Sequence, residues 1–360
     1  MKVFLISNMY PSKTQPYYGS FVKGFHDGLA KKGYNFRTNA LIKGRAHNIF
    51  LKLWKYTVFY FEILFKGLCY KYDVIYVHTV SHTAMPLLLL SFFKSYKLVI
   101  NPHGGDVIAV DPFEKKMRYF VQKLVGKAQL VVAPSQFFKD YLVREFKTDE
   151  QKIFVSASAG IDTETFIVRD TDATANKVFE IGFVSRIDKG KGWDLIIYAV
   201  DEILKRKLIP EVKCTIAGYG SEIEAMQSLI NELNLTHVIN YIGAKSHTEL
   251  PSLYANFDIF VFPTTLSESL GLVGLEAMAC GVPVIGAELG GIKDYLINNY
   301  NGFFFAPGDA SDLMTKIYNF YNLDHKSRQK MGSNARNTAL NYSRRKIIDD
   351  LSDKLQIVFK

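Results

Sequence analysis

Two glutamates, Glu268 and Glu276, stand with seven residues between them in the run Pro263-Thr264-Thr265-Leu266-Ser267-Glu268-Ser269-Leu270-Gly271-Leu272-Val273-Gly274-Leu275-Glu276. The run follows an apolar stretch that reads as a strand, and its glycine-containing centre opens a helix. Backbone N–H groups at Leu270, Gly271 and Leu272 would lack carbonyl partners at such a helix start, which attracts phosphate. Glu276 is the single charged residue between Ser269 and Ala287. A carboxylate among apolar neighbours costs several kcal/mol unless it is hydrogen-bonded or paired. A basic side chain, a backbone cap or the hydroxyls of a ligand would each meet that need. A second segment, Ile181 to Gly192, places Arg186 just past a strand and Lys191 in a glycine loop before a helix. Ligands of open α/β sheets bind at such strand ends. A planar guanidinium fork and a point-charge ammonium together suit a diphosphate, although a solvated basic loop has the same composition.

Taken together, these segments resemble the donor-binding elements of the family 4 retaining glycosyltransferases. The resemblance implies that Glu268 meets sugar hydroxyls, that Ser269, Leu270, Gly271 and Leu272 bind the distal phosphate or sugar, and that Glu276 holds the ribose. Arg186 and Lys191 would neutralise the diphosphate as it leaves. Gly19, in Gly19-Ser20-Phe21-Val22-Lys23, resembles the family's glycine loop, with one glycine where many relatives have two. His103, in Asn101-Pro102-His103-Gly104-Gly105-Asp106, matches the active-site histidine. Gly243 and Lys245 fall in a loop that the family places near the donor base. The expected catalytic set is thus His103, Arg186, Lys191 and Glu268. The implied fold is GT-B, two Rossmann-like doubly wound domains facing across a cleft, and the implied chemistry retains the anomeric configuration without a cofactor or divalent metal.

These residues need strands to deliver them, and the sequence supplies two alternating series. Short apolar runs at Val3 to Ser7, Val74 to His78, Leu98 to Asn101 and Leu130 to Ala133 alternate with helical patterns, as in a parallel sheet. A second series follows at Val178 to Val184, Lys213 to Ala217, Val238 to Ile242, Ile259 to Pro263 and Val282 to Ile285. We expect an acceptor-binding domain over 1–168, a linker over 169–176, a nucleotide-sugar domain over 177–341, and a C-terminal helix over 342–360 that covers a domain surface or docks across the junction.

Composition narrows the rest. A hydrophobic fraction of 48% with 22% charged residues belongs to a packed globular chain. No apolar stretch is long enough for a membrane span, and the apolar start is too short for a signal peptide. Cys69, Cys214 and Cys280 lack disulfide or zinc spacing. His78 and His82 lie on a strand end and loop, which disfavours a metal. Asp170-Thr171-Asp172 falls in the expected linker and reads as coincidence. Gly218-Tyr219-Gly220 lacks the third glycine of a dinucleotide fingerprint, because Ile223 stands there.

The net charge of +9 is lopsided: residues 1–165 carry 23 Lys+Arg against 12 Asp+Glu, and the remainder 21 against 23. Within the basic half, Arg45 to Lys71 interleaves basic and aromatic residues, Lys52, Trp54 and Lys55 among them. An interfacial helix on anionic lipid and a core helix with a solvated basic face both fit this pattern, and no nucleic-acid fold signature accompanies it. The expected activity is transfer from a nucleotide sugar, UDP-linked by family frequency, to a lipid-linked saccharide in capsule, exopolysaccharide or lipopolysaccharide synthesis. The enzyme would sit in the cytoplasm, peripheral to the inner face of the membrane. A same-fold nucleotide-sugar epimerase or phosphorylase and a noncatalytic membrane-associated sugar-nucleotide binding protein are the alternatives.

Overall fold

The computed structural model describes residues 1–15, 18–108, 112–157, 159–168 and 178–359. The chain divides into two compact units, one of Met1–Gly160 with Arg344–Lys360 and the other of Ile161–Ser343.

The first unit contains β1 (Val3–Tyr10), α1 (Ser20–Lys31), β2 (Asn39–Lys43), α2 (Ile49–Cys69), β3 (Val74–His78), α3 (Ala84–Leu90), β4 (Leu98–Asn101), α4 (Pro112–Lys127), β5 (Leu130–Ala133), α5 (Gln136–Phe146) and β6 (Ile153–Val155). All six strands pair in parallel in the order β2-β1-β3-β4-β5-β6. The order reverses between β1 and β3, which opens a crevice beyond their carboxyl ends. Strand residues such as Phe4, Ile6, Ile75, Val77 and Ile100 are fully buried, each contributing roughly 1.5–3 kcal/mol. They read as continuous apolar runs because helices cover both faces of the sheet.

The second unit contains β7 (Phe179–Val184), α6 (Trp193–Lys205), β8 (Val212–Ala217), α7 (Ile223–Glu232), β9 (Ile239–Tyr241), α8 (Leu250–Tyr254), β10 (Ile259–Phe262), α9 (Leu272–Ala279), β11 (Val284–Ala287), β12 (Gly302–Phe305), α10 (Ala310–Tyr321) and α11 (His325–Leu340). Its parallel sheet runs β12-β11-β10-β7-β8-β9. This is the doubly wound order of mononucleotide-binding halves, with its switch point between β7 and β10.

The last helix, α12 (Arg344–Phe359), belongs to the first unit although it follows the second in sequence. Ile348, Leu351 and Leu355 bury themselves with Val22, Phe25 and Leu29 of α1, and the Tyr34 hydroxyl donates to Ser352 O at 3.0 Å. The sequence reading ran the first domain to residue 168, whereas Ile161 to Val168 cluster with the second unit. Phe166 is fully buried there beside Tyr254, and Arg336 donates to the carbonyls of Thr163 and Phe166. The expected linker 169–176, with Asp170-Thr171-Asp172, lies outside the described residues.

Candidate functional site

In the second unit the switch point delivers the expected donor residues. Lys191, in the loop after β7, pairs with Glu268, in the loop after β10, across 77 residues of sequence. Their side chains are 10% and 22% exposed, so solvent screens the pair only partly. Thr264 Oγ1 donates to the same carboxylate at 3.4 Å, and Gly291 N donates to Glu268 O at 2.8 Å. Arg186 instead reaches Asp188 Oδ2 at 2.8 Å and remains half exposed. The other Asp188 oxygen accepts from Ser221 N at 2.8 Å and Ser221 Oγ at 2.9 Å. These bonds, the backbone N–H first, hold the Asp188 carboxyl below its usual value and tie the loops after β7 and β8 together.

Helix α9 starts at Leu272 behind Gly271, whose φ of 83° is left-handed. A Cβ there would stand 2.4 Å from the Phe262 ring, so only glycine brings the chain around this corner. The Tyr295 hydroxyl donates to Gly271 O at 2.8 Å. Ser269 and Leu270 lead into the turn, and the free N–H groups of the first helical turn face outward from its start. Glu276 lies one turn further on. The Tyr254 hydroxyl donates to its Oε2 at 3.3 Å, and His247 Nε2 stands 3.9 Å from Oε1. Desolvation lifts its carboxyl to about 7, against the smaller downward pull of the Tyr254 hydrogen bond. Gly243 accepts from Gly218 N at 2.9 Å, joining the loops after β8 and β9, while Lys245 stands 3.7 Å from Glu249.

The first unit gathers a second set at its own strand ends. Gly19 caps α1 with φ 72°, and a Cβ would lie 2.6 Å from the Met9 carbonyl, so the helix start presses against the end of β1. Phe21 of α1 packs 4.4 Å from the His103 ring. His103 Nε2 and His78 Nδ1 are 2.8 Å apart, with the rings stacked at 5.1 Å. Burial drives His103 down to about 3 and His78 well below its usual value, so the pair is neutral, one ring donating to the other. Asp106 braces the loop: Oδ1 accepts from His103 N and Gly104 N, and Oδ2 from Val80 N. Burial still pushes the Asp106 carboxyl upward. His82 stacks on Phe113 rather than joining His78. Among the described residues no cluster of three His, Cys, Asp or Glu is placed to hold a metal ion.

Lys52, Trp54 and Lys55 separate. Trp54 is 66% exposed on the outer face of α2, whereas Lys55 turns back and donates to Lys43 O at 2.8 Å and Gly44 O at 3.0 Å. Lys52 remains exposed. The outer face of α2 carries Phe50, Trp54, Val58, Phe61, Phe65 and Leu68, all exposed, as one stripe of near-helical spacing. Beside its end, Phe92 and Phe93 are 83% and 70% exposed. Only Phe59, Ile63 and Gly67 of α2 are buried, so the sheet takes one narrow face of the helix. No helix among the described residues is long and apolar enough to cross a membrane.

Sequence reasoning missed Tyr254, His247, Tyr295 and Thr264, which surround the two glutamates. Thr264 lies inside the quoted run, four residues before Glu268, whereas the separations of Tyr254, His247 and Tyr295 from the glutamates follow no period. It also missed His78 as the partner of His103, although the strands that end at these residues were both legible. His78 pairs in register with Asn101, two residues before His103.

Comparison with known proteins agrees with this arrangement. The profile for "Glycosyltransferase Family 4" matches residues 22–165, and that for "Glycosyl transferases group 1" matches 167–338. An uncharacterized glycosyltransferase of Methanocaldococcus jannaschii is 26% identical over 76% of this chain and 75% of its own length. A capsular polysaccharide biosynthesis glycosyltransferase, CapM of Staphylococcus aureus, is 31% identical over 62% of this chain. The chain spans 61% of that relative and similar or smaller shares of several others. The crystal structure of Anabaena HepE in complex with UDP-glucose superposes with a TM-score of 0.76 at 20% identity, covering 99% of this chain and 100% of that one. Two parallel six-stranded units in this order, the two profiles and these likenesses establish that the chain has the GT-B fold and belongs to the family 4 glycosyltransferases.

Proposed function

We propose that this glycosyltransferase moves a sugar from a nucleoside diphosphate sugar, with UDP as the carrier, to a lipid-linked saccharide in surface-polysaccharide synthesis, and that the product keeps the donor's anomeric configuration. The observation that carries the reading is the meeting of Lys191 and Glu268 at the switch point of the second unit, beside the start of α9. Negative charge grows on the diphosphate as the glycosidic bond breaks. The Lys191 ammonium, the Arg186 guanidinium and the first N–H groups of α9 are fixed positive groups that favour this charge. Glu268 accepts hydrogen bonds from the sugar, and Glu276 accepts them from the ribose. Lys191 is held by Glu268 before donor arrives, so its position is set in advance. His103 of the first unit, neutral by burial, is assigned a catalytic part in this scheme. UDP as carrier is supported by the likeness to HepE, whose structure holds UDP-glucose, and the polysaccharide role by the relationship to CapM.

Fixed protein charges take the part that a cation plays in other transferases, so no divalent metal enters this scheme. Peripheral attachment to the cytoplasmic face of the membrane is supported by the apolar stripe of α2, whose burial in a lipid boundary would remove large aromatic side chains from water. The decisive experiment incubates the protein with UDP-sugar and acceptor, with and without EDTA, and reads the new linkage by proton NMR. Chelator-resistant transfer with retention is expected. Loss of transfer in EDTA with rescue by Mn²⁺, or an inverted anomer, would overturn the scheme.

A further inference from the structure

The first unit holds a cavity of about 240 Å³ walled by Asn8, Tyr18, Arg45, Lys52, Lys55 and Tyr56, among others. It lies where β1 and β2 end, the side of the sheet on which ligands of this topology bind. Three cations share this wall with no carboxylate in it, and among the described residues none of the three is paired with an acid. Gathering like charges in one concavity is unfavourable unless an anion joins them.

The wall is also pre-arranged. The Lys43 and Gly44 carbonyls hold the Lys55 ammonium, which keeps a further N–H to offer. The Arg45 guanidinium lies 5.4 Å above the Tyr18 ring. The Tyr56 hydroxyl accepts from Asn8 Nδ2 at 3.2 Å and retains its own O–H as a donor. The Asn8 side-chain Oδ1 accepts in turn from Thr79 Oγ1. Thr79 directly follows His78, the ring that meets His103, so a short run of contacts links the cavity to the histidine pair.

We propose that this cavity binds a phosphate or diphosphate of the acceptor, so that the molecule receiving the sugar is anchored by its anion near His103. A guanidinium fork, two ammonium groups and the Tyr56 hydroxyl match the oxygens of a phosphate, while the Tyr18 hydroxyl is held by Asn8 O, and three positive charges exceed what one carboxylate would neutralise. The proposal deepens the transfer reading above and rests on its placing of the acceptor on the first unit. The shared chemistry has two sources, the diphosphate of a prenyl-type lipid and the phosphate of a soluble sugar.

The test is calorimetric titration of the full chain with inorganic pyrophosphate, in a Lys191→Ala background that weakens the donor half. A binding event is expected there, and Arg45→Gln/Lys52→Gln should weaken it by about tenfold or more. Should the double variant melt early, Lys52→Gln alone, at an exposed helical position, is expected to weaken it in the same direction. Equal affinity in parent and variants, or no binding once Lys191 is gone, would overturn the site. Displacement of pyrophosphate by farnesyl diphosphate identifies the lipid source and displacement by glucose 6-phosphate the soluble one. Displacement by neither counts against the proposal. The measurement uses no donor sugar, so failure of transfer leaves it readable.

Discussion

The two units share an architecture and differ in what their surfaces offer. Each is a six-stranded parallel sheet with a switch point beyond its carboxyl ends. In the second unit the polar side chains at that point are engaged with one another: Lys191 with Glu268, Arg186 with Asp188, Tyr254 with Glu276. Its exposed large apolar residues, such as Tyr198 and Ile297, are scattered. In the first unit, more than half of the exposed large apolar side chains among the described residues fall between Ile49 and Phe93, and the basic excess lies in the same half of the sequence. A doubly wound sheet thus sets where a ligand sits, while helix faces that the sheet leaves uncovered set which surroundings the protein can meet. The second unit concentrates paired polar side chains at its switch point, and the first carries most of the exposed large apolar surface among the described residues.

The largest expected effect tests the second unit. Lys191→Ala should lower kcat by about 10² to 10³, as well as donor affinity, because a fixed charge opposite the leaving group acts most strongly as charge develops. A fall in affinity with kcat unchanged would reduce Lys191 to a binding residue. Next, Phe61→Glu/Phe65→Glu should abolish co-sedimentation with vesicles, each lost aromatic anchor costing about 1.5–3 kcal/mol. Because the stripe itself is apolar, binding of the wild type to anionic vesicles should fall only in part as salt rises. Ile297→Glu on the second unit should leave sedimentation unchanged, and an equal loss from that change would erase the contrast between the units.

Glu276→Ala should weaken UDP binding by about 1 to 3 kcal/mol in a folded protein, and unchanged calorimetric affinity would remove the ribose assignment. Its carboxyl is raised by burial to about 7 from a usual value of 4.5. The folded state therefore holds the proton more tightly than the unfolded one, so this residue's contribution to stability declines as pH rises from about 4.5 through about 7. Glu276→Gln should remove that decline, with a higher Tm above pH 7, and UDP affinity in the wild type should rise over the same range as the carboxylate forms. The smallest effect belongs to Tyr254→Phe. Loss of one hydrogen bond to Glu276 should cost about 1 kcal/mol of UDP affinity and move the pH midpoint upward, since that bond favours the ionised form. A downward shift would mean that Tyr254 acts otherwise.

Much of this was legible in the residues alone. The buried strands β1, β3, β4, β5, β7, β8 and β10 read directly as apolar runs, since a strand covered on both faces needs nothing else. The glutamate pair, Arg186 and Lys191 stood out by type and spacing, and a helix begins at Ser20 directly after the glycine of the expected loop, Gly19. The short strands β2, β6 and β12 escaped notice. Each lies at an edge of its sheet; β2 and β6 are only partly buried, so their pattern fades, whereas β12 is mostly buried but only four residues long.

Only the tertiary structure decided which of the recognised residues meet. Lys191 finds Glu268 rather than Glu276, and Glu276 finds a tyrosine and a histidine instead of a cation. Periodicity describes neighbours along one element, and these contacts join different elements through the order of the strands. The basic aromatic helix shows the same division. Composition determined that Arg45 to Lys71 would be amphipathic, but both lysine stems and aromatic rings can face either way. Packing against β2 and α3 buried Phe59, Ile63 and Gly67, drew Lys55 onto the Lys43 and Gly44 carbonyls, and left Phe50, Trp54, Phe61 and Phe65 in the open. Which face a helix shows depends on what the rest of the chain puts behind it, and that is information no single segment contains.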